Sequence, residues 1–66
     1  MTYDDIKGFI GKQVIVRDID GKQIKGLLTN TESEFDTSSG KEEIEIDAGK
    51  VFYGIPIDEI EKIIEI

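Results

Sequence analysis

The fold is decided by residues 12–28, KQVIVRDIDGKQIKGLL, in which two runs of branched aliphatic residues flank a turn. Asp20 and Gly21 form a strong turn signal, so the two runs are predicted to pair as a β-hairpin. A two-residue loop at the turn would mix apolar and polar side chains on both faces. A three-residue loop, residues 19–21, instead places on one face Val14, Val16, Ile24, Gly26 and Leu28. Because a one-residue slip exchanges the faces, we expect this register, with Gly21 in a left-handed bulge position.

The apolar residues of the whole chain are mostly branched at Cβ. Thirteen of its 66 residues are Ile and three are Val, against two Leu. Branched side chains lose rotamer freedom in helices and pack well on pleated sheets. We therefore expect one mostly-β domain over residues 1–66, with a short N-terminal helix, a five-stranded, strongly bent small barrel and a 3₁₀ turn before the last strand. Because Cys is absent, its stability must come from an apolar core or a partner chain.

The N-terminal segment predicts the helix, at residues 2–9. Thr2 and Asp5 have the spacing of a weakened capping box, and acidic residues in the first turn suit the positive end of a helix. Gly8 and Gly11 indicate where the helix stops.

Strict alternation makes residues 43–48, EIEIDA, the clearest strand in the chain. Its predicted inner face is Ile44, Ile46 and Ala48. Its predicted outer face is Glu43, Glu45 and Asp47, which is either a solvated surface or a docking strip for a basic protein. Residues 51–55 are predicted to return as the next strand. Residues 29–36 are polar and ambiguous, and residues 37–41 indicate a loop.

The sequence of the last segment, residues 56–66, is compatible with two structures. Pro56 and the acids after it could start a helix with three isoleucines on one face. Four of the last seven residues are Ile, which forms helices poorly, so we prefer a 3₁₀ turn at 57–60 and then a strand to Ile66. Ile63 then points opposite to Ile64, and a strand that is apolar on both faces is hazardous at an exposed edge. We expect it to lie inside the barrel closure or to be covered by another subunit.

The composition argues against catalysis and cofactor binding. The chain has no His and no Cys, and no Gly-rich phosphate loop precedes a helix. A calcium loop starting at Asp18 fails on spacing, because Lys22 and Thr29 stand at its fifth and twelfth positions. We expect no enzyme activity, no cofactor and no metal. No apolar run is long enough to span a membrane and no secretory signal pattern is present, so we expect a cytoplasmic protein without a membrane partner.

Charge is distributed unevenly along the chain. The net charge is −7, with +1 over residues 1–30 and −8 over residues 31–66. The second half should therefore repel nucleic-acid phosphates, whereas the first half need not.

Residues 11–28 resemble the first motif of the Sm-like family, and VFYG at 51–54 resembles its shorter second motif. The residues that carry the first likeness are Gly11, Lys12, Val14, Val16, Asp20, Gly21, Ile24, Gly26 and Leu28. Residues 54–60, GIPIDEI, also resemble the end of a Src-homology-type barrel. The resemblance implies RNA binding by a ring of subunits joined through edge strands. At the places of the family's motif Asp, base-contacting Asn and second-motif Arg, this chain has Glu32, Asp36 and Tyr53.

We therefore expect a non-catalytic protein-interaction or self-assembly module, which includes a homo-oligomer formed through the last strand. Its candidate partner-binding residues are Glu43, Glu45, Asp47 and Ile63. The alternative is an Sm-like RNA-binding protein that uses the first hairpin. Its candidate residues are Arg17, Lys25, Phe35 and Tyr53. A small domain tends to use its few aromatics for packing, so Phe35, Phe52 and Tyr53 are expected in the core rather than on the surface.

Overall fold

A computed structural model describes residues 1–66 and contains five strands after a short helix. In chain order the elements are α1 (Tyr3–Ile6), a 3₁₀ turn (Lys7–Phe9), β1 (Gln13–Asp18), β2 (Gln23–Glu32), β3 (Glu43–Asp47), β4 (Phe52–Pro56), a second 3₁₀ turn (Ile57–Glu59) and β5 (Ile60–Glu65). The strands form one antiparallel sheet in the order β4-β3-β2-β1-β5. The prediction of a mostly-β fold with a short helix and five strands is confirmed.

The first hairpin has the expected three-residue loop. Val16 lies opposite Ile24, and the N–H of Asp18 donates to the carbonyl of Lys22 at 3.0 Å. Gly21 has a φ of 84°, which is the left-handed conformation that glycine adopts at no steric cost. The Asp18 carboxylate accepts backbone hydrogen bonds from Asp20 and Lys22, both at 2.9 Å. The polar residues of this stretch therefore build the turn.

Strand β2 is bent and pairs with a different neighbouring strand along each of its two parts. Its first part pairs with β1 and its second part pairs with β3, with a bulge between Leu28 and Asn30. A Cβ on Gly26 would overlap the carbonyl oxygen of Asp47 and the side chain of Ile46. Glycine is therefore required where β2 passes closest to β3.

The core consists of aliphatic side chains alone. It is formed by Ile6, Val14, Val16, Ile24, Leu28, Ile44, Ile46, Ile55, Ile57, Ile60 and Ile63. Phe9, Ile10 and Tyr53 are partly buried against it. Each strand contributes its inward face, as the alternation of apolar residues predicts.

Strand β5 departs from simple alternation. Ile60 and Ile63 are three positions apart, yet both are buried. The register against β1 shifts between Arg17 and Asp18, so one extra residue of β5 is accommodated there. The predicted 3₁₀ turn followed by a strand is confirmed. Ile64 lies on the opposite face from Ile63 and is 45% exposed.

Three residues expected in the interior lie at the surface. Phe35 is 88% exposed in the loop between β2 and β3, and Phe52 is 66% exposed on β4. Ala48 follows the end of β3 and is exposed, because the chain already turns there, with its N–H donating to Val51. The expectation that aromatics fill the core was wrong for Phe35 and Phe52, since branched aliphatics occupy that volume. None of the short helical segments has the length and apolarity needed to cross a membrane.

We predict that Gly26→Ala lowers the free energy of unfolding by about 1–3 kcal/mol, because the new methyl group meets backbone atoms that cannot move cheaply. Urea denaturation measures this loss. Gly8→Ala is the matched control, since a Cβ there meets nothing within 4 Å. Equal stability of the two variants would contradict the close approach of β2 and β3.

We predict that the helix start responds to pH through Asp5. Its carboxylate accepts the Thr2 N–H at 2.9 Å and the Thr2 hydroxyl at 3.2 Å, and the backbone bond above all lowers the pKa of Asp5. The resulting stabilisation is complete above the ordinary pKa of about 4 and disappears as pH falls through the lowered value. The difference in melting temperature between wild type and Asp5→Asn should therefore shrink in acid. Asp4→Asn keeps both Thr2 contacts and should show less change; a pH-independent difference for Asp5→Asn would refute the idea.

Candidate functional site

Register places nine side chains on the outward face of β5, β1 and β2, which we call the cationic face. They are Gln13, Ile15, Arg17, Gln23, Lys25, Leu27, Lys62, Ile64 and Ile66. Three of them are cations and none is a carboxylate, although the chain has a net charge of −7. A face of this sign on an acidic protein is a local feature, created by which strands lie side by side.

The cationic face has an apolar centre with charges around it. Ile15 lies between Ile64 of β5 and Lys25 of β2, and Arg17 lies beside Lys62. A shallow depression of about 160 Å³ opens between these side chains, lined by Ile15, Arg17, Gln23, Lys62 and Ile64. Such a combination is typical of surfaces that bind a partner with an apolar anchor and acidic surroundings.

Only one of the three cations of this face is paired with a carboxylate. Arg17 makes an ion pair with Glu61 at 2.9 Å, and its Nε–H has no hydrogen-bond partner. Lys25 and Lys62 are exposed and have no carboxylate within 4 Å. Two positive charges on the face are therefore available to an external group.

The outer edge of β5 is unpaired. The N–H of Ile66 donates to Gln13 at 3.0 Å, so the alternation of an antiparallel ladder turns the backbone groups of Ile63 and Glu65 away from β1. Strand β4 is the other edge of the sheet, and it ends at Pro56, which has no N–H. Of the two edges, β5 offers the more complete row of hydrogen-bonding groups.

The outer surface continues from the cationic face onto β2, β3 and β4 as what we call the acidic face, and the two faces meet where Leu27 lies opposite Asp47. Its residues are Asn30, Glu32, Glu43, Glu45, Asp47, Phe52, Gly54 and Pro56. It contains four carboxylates and no cation. Phe52 is paired with Asp47 in the register and supplies an exposed apolar side chain.

The predicted acidic stripe is half-buried rather than freely solvated. Glu45 accepts the Thr29 hydroxyl at 2.7 Å, Glu43 accepts the Ser39 hydroxyl at 2.6 Å, and Asp47 accepts the N–H of Gly49 at 2.8 Å. Each carboxylate thus has one local partner and retains further acceptor positions. These hydrogen bonds hold the stripe in place on the outer side of the sheet.

The predicted partner-binding residues do not share one surface. Glu43, Glu45 and Asp47 lie together on the acidic face, whereas Ile63 is in the core at 8% exposure. The assignment of Ile63 to a binding surface needs correction, because the bulge in β5 turns its side chain inward. The exposed apolar residue of that strand is its neighbour Ile64.

The residues of the alternative RNA site are only partly brought together. Arg17 and Lys25 share the cationic face, but Phe35 is in the loop before β3 and Tyr53 is packed against the core. The Nζ of Lys22 lies 5.3 Å from the Tyr53 ring centroid, a cation–π distance. No aromatic side chain belongs to the cationic face.

Sequence reasoning missed Lys62 and Ile15 as members of the cationic face. The signal for Lys62 was present, since it alternates with Ile64 and Ile66 in the last strand. Its neighbour across the ladder could not be found from the sequence, because β5 pairs with the distant β1.

Other polar groups hold the loops in place. Lys41 lies 3.5 Å from Asp58 and 3.4 Å from Glu59, which ties the long loop to the second 3₁₀ turn. The charge of Asp58, followed by the hydrogen bond to Glu59, raises the pKa of Lys41. No group of three or more acidic side chains is arranged to hold a metal ion.

Comparison of the chain with protein-family models, with curated proteins and with solved structures finds no match.

Proposed function

We propose that this chain is a non-catalytic, cytoplasmic protein-interaction or self-assembly module that binds through its last strand. The unpaired edge of β5, with Ile64 and Ile66 exposed at 45% and 59%, is the observation that carries the proposal. Absence of His and Cys from the sequence is in keeping with a binding role.

An open edge strand is a template for pairing with another chain. Backbone groups that face outward can add a strand, and the exposed isoleucines gain from being covered. Strand β5 also carries Glu61, Lys62 and Glu65, and charges on an edge strand oppose indiscriminate aggregation. Pairing at this edge therefore selects a partner with complementary side chains, whether another protein or a second copy.

We predict that Glu65→Pro abolishes association through this edge. Proline removes an outward N–H and leaves the ladder with β1 intact, because that N–H does not face β1. Light scattering over a range of concentrations should give a mass above the 7.4 kDa monomer for wild type and the monomer mass for Glu65→Pro.

Glu65→Ala is the matched control, since it removes the same ion pair with Lys12 but keeps the N–H. It should associate like wild type. A monomeric wild type at high concentration would refute self-assembly, and equal loss in both variants would refute the role of the edge.

The alternative function, Sm-like RNA binding through the first hairpin, is favoured by one observation. Arg17 and Lys25 share a face with Lys62, so the structure adds a third cation to the predicted pair. This alternative predicts salt-dependent retention of single-stranded RNA that weakens when Arg17 and Lys25 become Ala. Lys50→Ala, in the turn between β3 and β4, should have little effect. Failure to retain RNA at low salt would remove the alternative.

A further inference from the structure

We infer that the cationic face of one copy docks the acidic face of a second copy, so that identical chains associate head to tail. The inference rests on one part of the proposed function, self-assembly, since it names a second copy as the protein partner. It goes beyond the proposed contact at the backbone edge of β5, because it places the main contact on the sheet faces.

The first support is charge complementarity between two surfaces of the same chain. The cationic face carries two cations without an ion pair and Arg17, which is paired with Glu61, whereas the acidic face carries four carboxylates and no cation. Lys25 and Lys62 have no partner within the chain. Glu45 and Asp47 each use one acceptor position locally and can accept further hydrogen bonds. Ion pairs across the contact would satisfy both sets.

The second support is that each face has an apolar centre. Ile15, Ile64 and Ile66 lie among the cations, and Phe52 projects beside the acids. The depression on the cationic face is lined by two isoleucines and by Arg17, Gln23 and Lys62. An aromatic side chain inserted there would have apolar contacts at the centre and polar contacts around them, as in specific interfaces. Docking would cover the exposed isoleucines and Phe52 in one step.

The net charge of −7 makes two copies repel each other. This repulsion acts over longer distances than the ion pairs at the contact. The molecule is 23 Å across in its shorter dimensions. The screening length at physiological salt is about 8 Å, so charges on the far sides of two docked copies interact weakly. Pairs in direct contact are screened much less, and they decide the sign of the interaction.

The size of the faces predicts a weak, reversible contact. A square face 23 Å on a side is roughly 500 Å², and two such faces bury about 1,000 Å², the low end of specific interfaces. Because two different surfaces meet, the contact is heterologous, and a dimer keeps one free cationic face and one free acidic face. Association should therefore continue beyond the dimer at high concentration.

The test uses two charge-reversed full-length proteins. Variant A carries Lys25→Glu and Lys62→Glu, which spoils the cationic face. Variant B carries Glu32→Lys and Glu45→Lys, which spoils the acidic face. Each variant retains the other face, and circular dichroism with urea denaturation checks that both are folded.

Sedimentation velocity at physiological salt should show self-association of wild type and a loss of at least about tenfold in affinity for A alone and B alone, because like charges then face each other. An equimolar mixture of A and B should regain association. The intact cationic face of B is complementary to the intact acidic face of A, and the two reversed faces are also opposite in charge.

Phe52→Ala should weaken association, whereas Phe35→Ala, which removes an exposed aromatic outside both faces, should not.

Failure of the A and B mixture to dimerise, or self-association of A alone and B alone equal to that of wild type, overturns the inference. If A and B still associate and Glu65→Pro does not, the edge contact of the proposed function stands and the face contact fails. If Glu65→Pro associates normally and A and B do not, the face contact stands and the edge contact fails. A wild-type protein that stays monomeric overturns both forms of self-association.

Discussion

The close approach of β2 to β3 at Gly26 is the constraint on which the rest of the structure depends. Without a side chain at this position, the carbonyl of Asp47 can lie against the β2 backbone, and one strand can pair with β1 along its first half and β3 along its second. The bent sheet packs its inner side around eleven aliphatic side chains. Its outer side carries cations on β1, β5 and the first part of β2, and carboxylates on β3 and the second part of β2, and the two regions meet where Leu27 lies opposite Asp47.

Because the core is small, apolar residues left exposed at the edges of the sheet affect the stability of the whole domain. A chain of this length buries only about 60% of its unfolded surface, so exposed apolar residues cost a noticeable share of its stability. Strand β4 is limited as a pairing edge by Pro56, while β5 keeps its outward backbone groups and leaves Ile64 and Ile66 at the surface. The loops are held by local hydrogen bonds, such as that between Thr37 and the Lys41 carbonyl. Unpaired backbone groups and exposed isoleucines therefore occur together on β5, which lies on one side of the proposed contacts.

Opposite charges are separated by the topology rather than by the order of residues along the chain. Lys62 belongs to the acidic second half of the sequence, yet it lies beside Arg17 of the first half. The carboxylates of β3 are collected on the other side of β2, together with Phe52. A protein with a strongly negative net charge thus has one face on which cations outnumber carboxylates. The β3 carboxylates were predicted to bind a protein partner, and Arg17 and Lys25 were predicted to bind RNA. In the proposed head-to-tail contact, both sets of residues take part in one interface.

The sequence by itself determined the elements: branched residues at alternating positions have to form strands, and the turn at Asp20 and Gly21 sets the register of the first hairpin. It did not determine which aromatics are buried, because the volume inside the barrel depends on how five strands share it. Nor did it determine the orientation of Ile63, since a bulge against β1 breaks the two-residue period. Only the tertiary structure decided that Arg17, Lys25 and Lys62 share a face, because strands distant in sequence become neighbours only when the sheet closes.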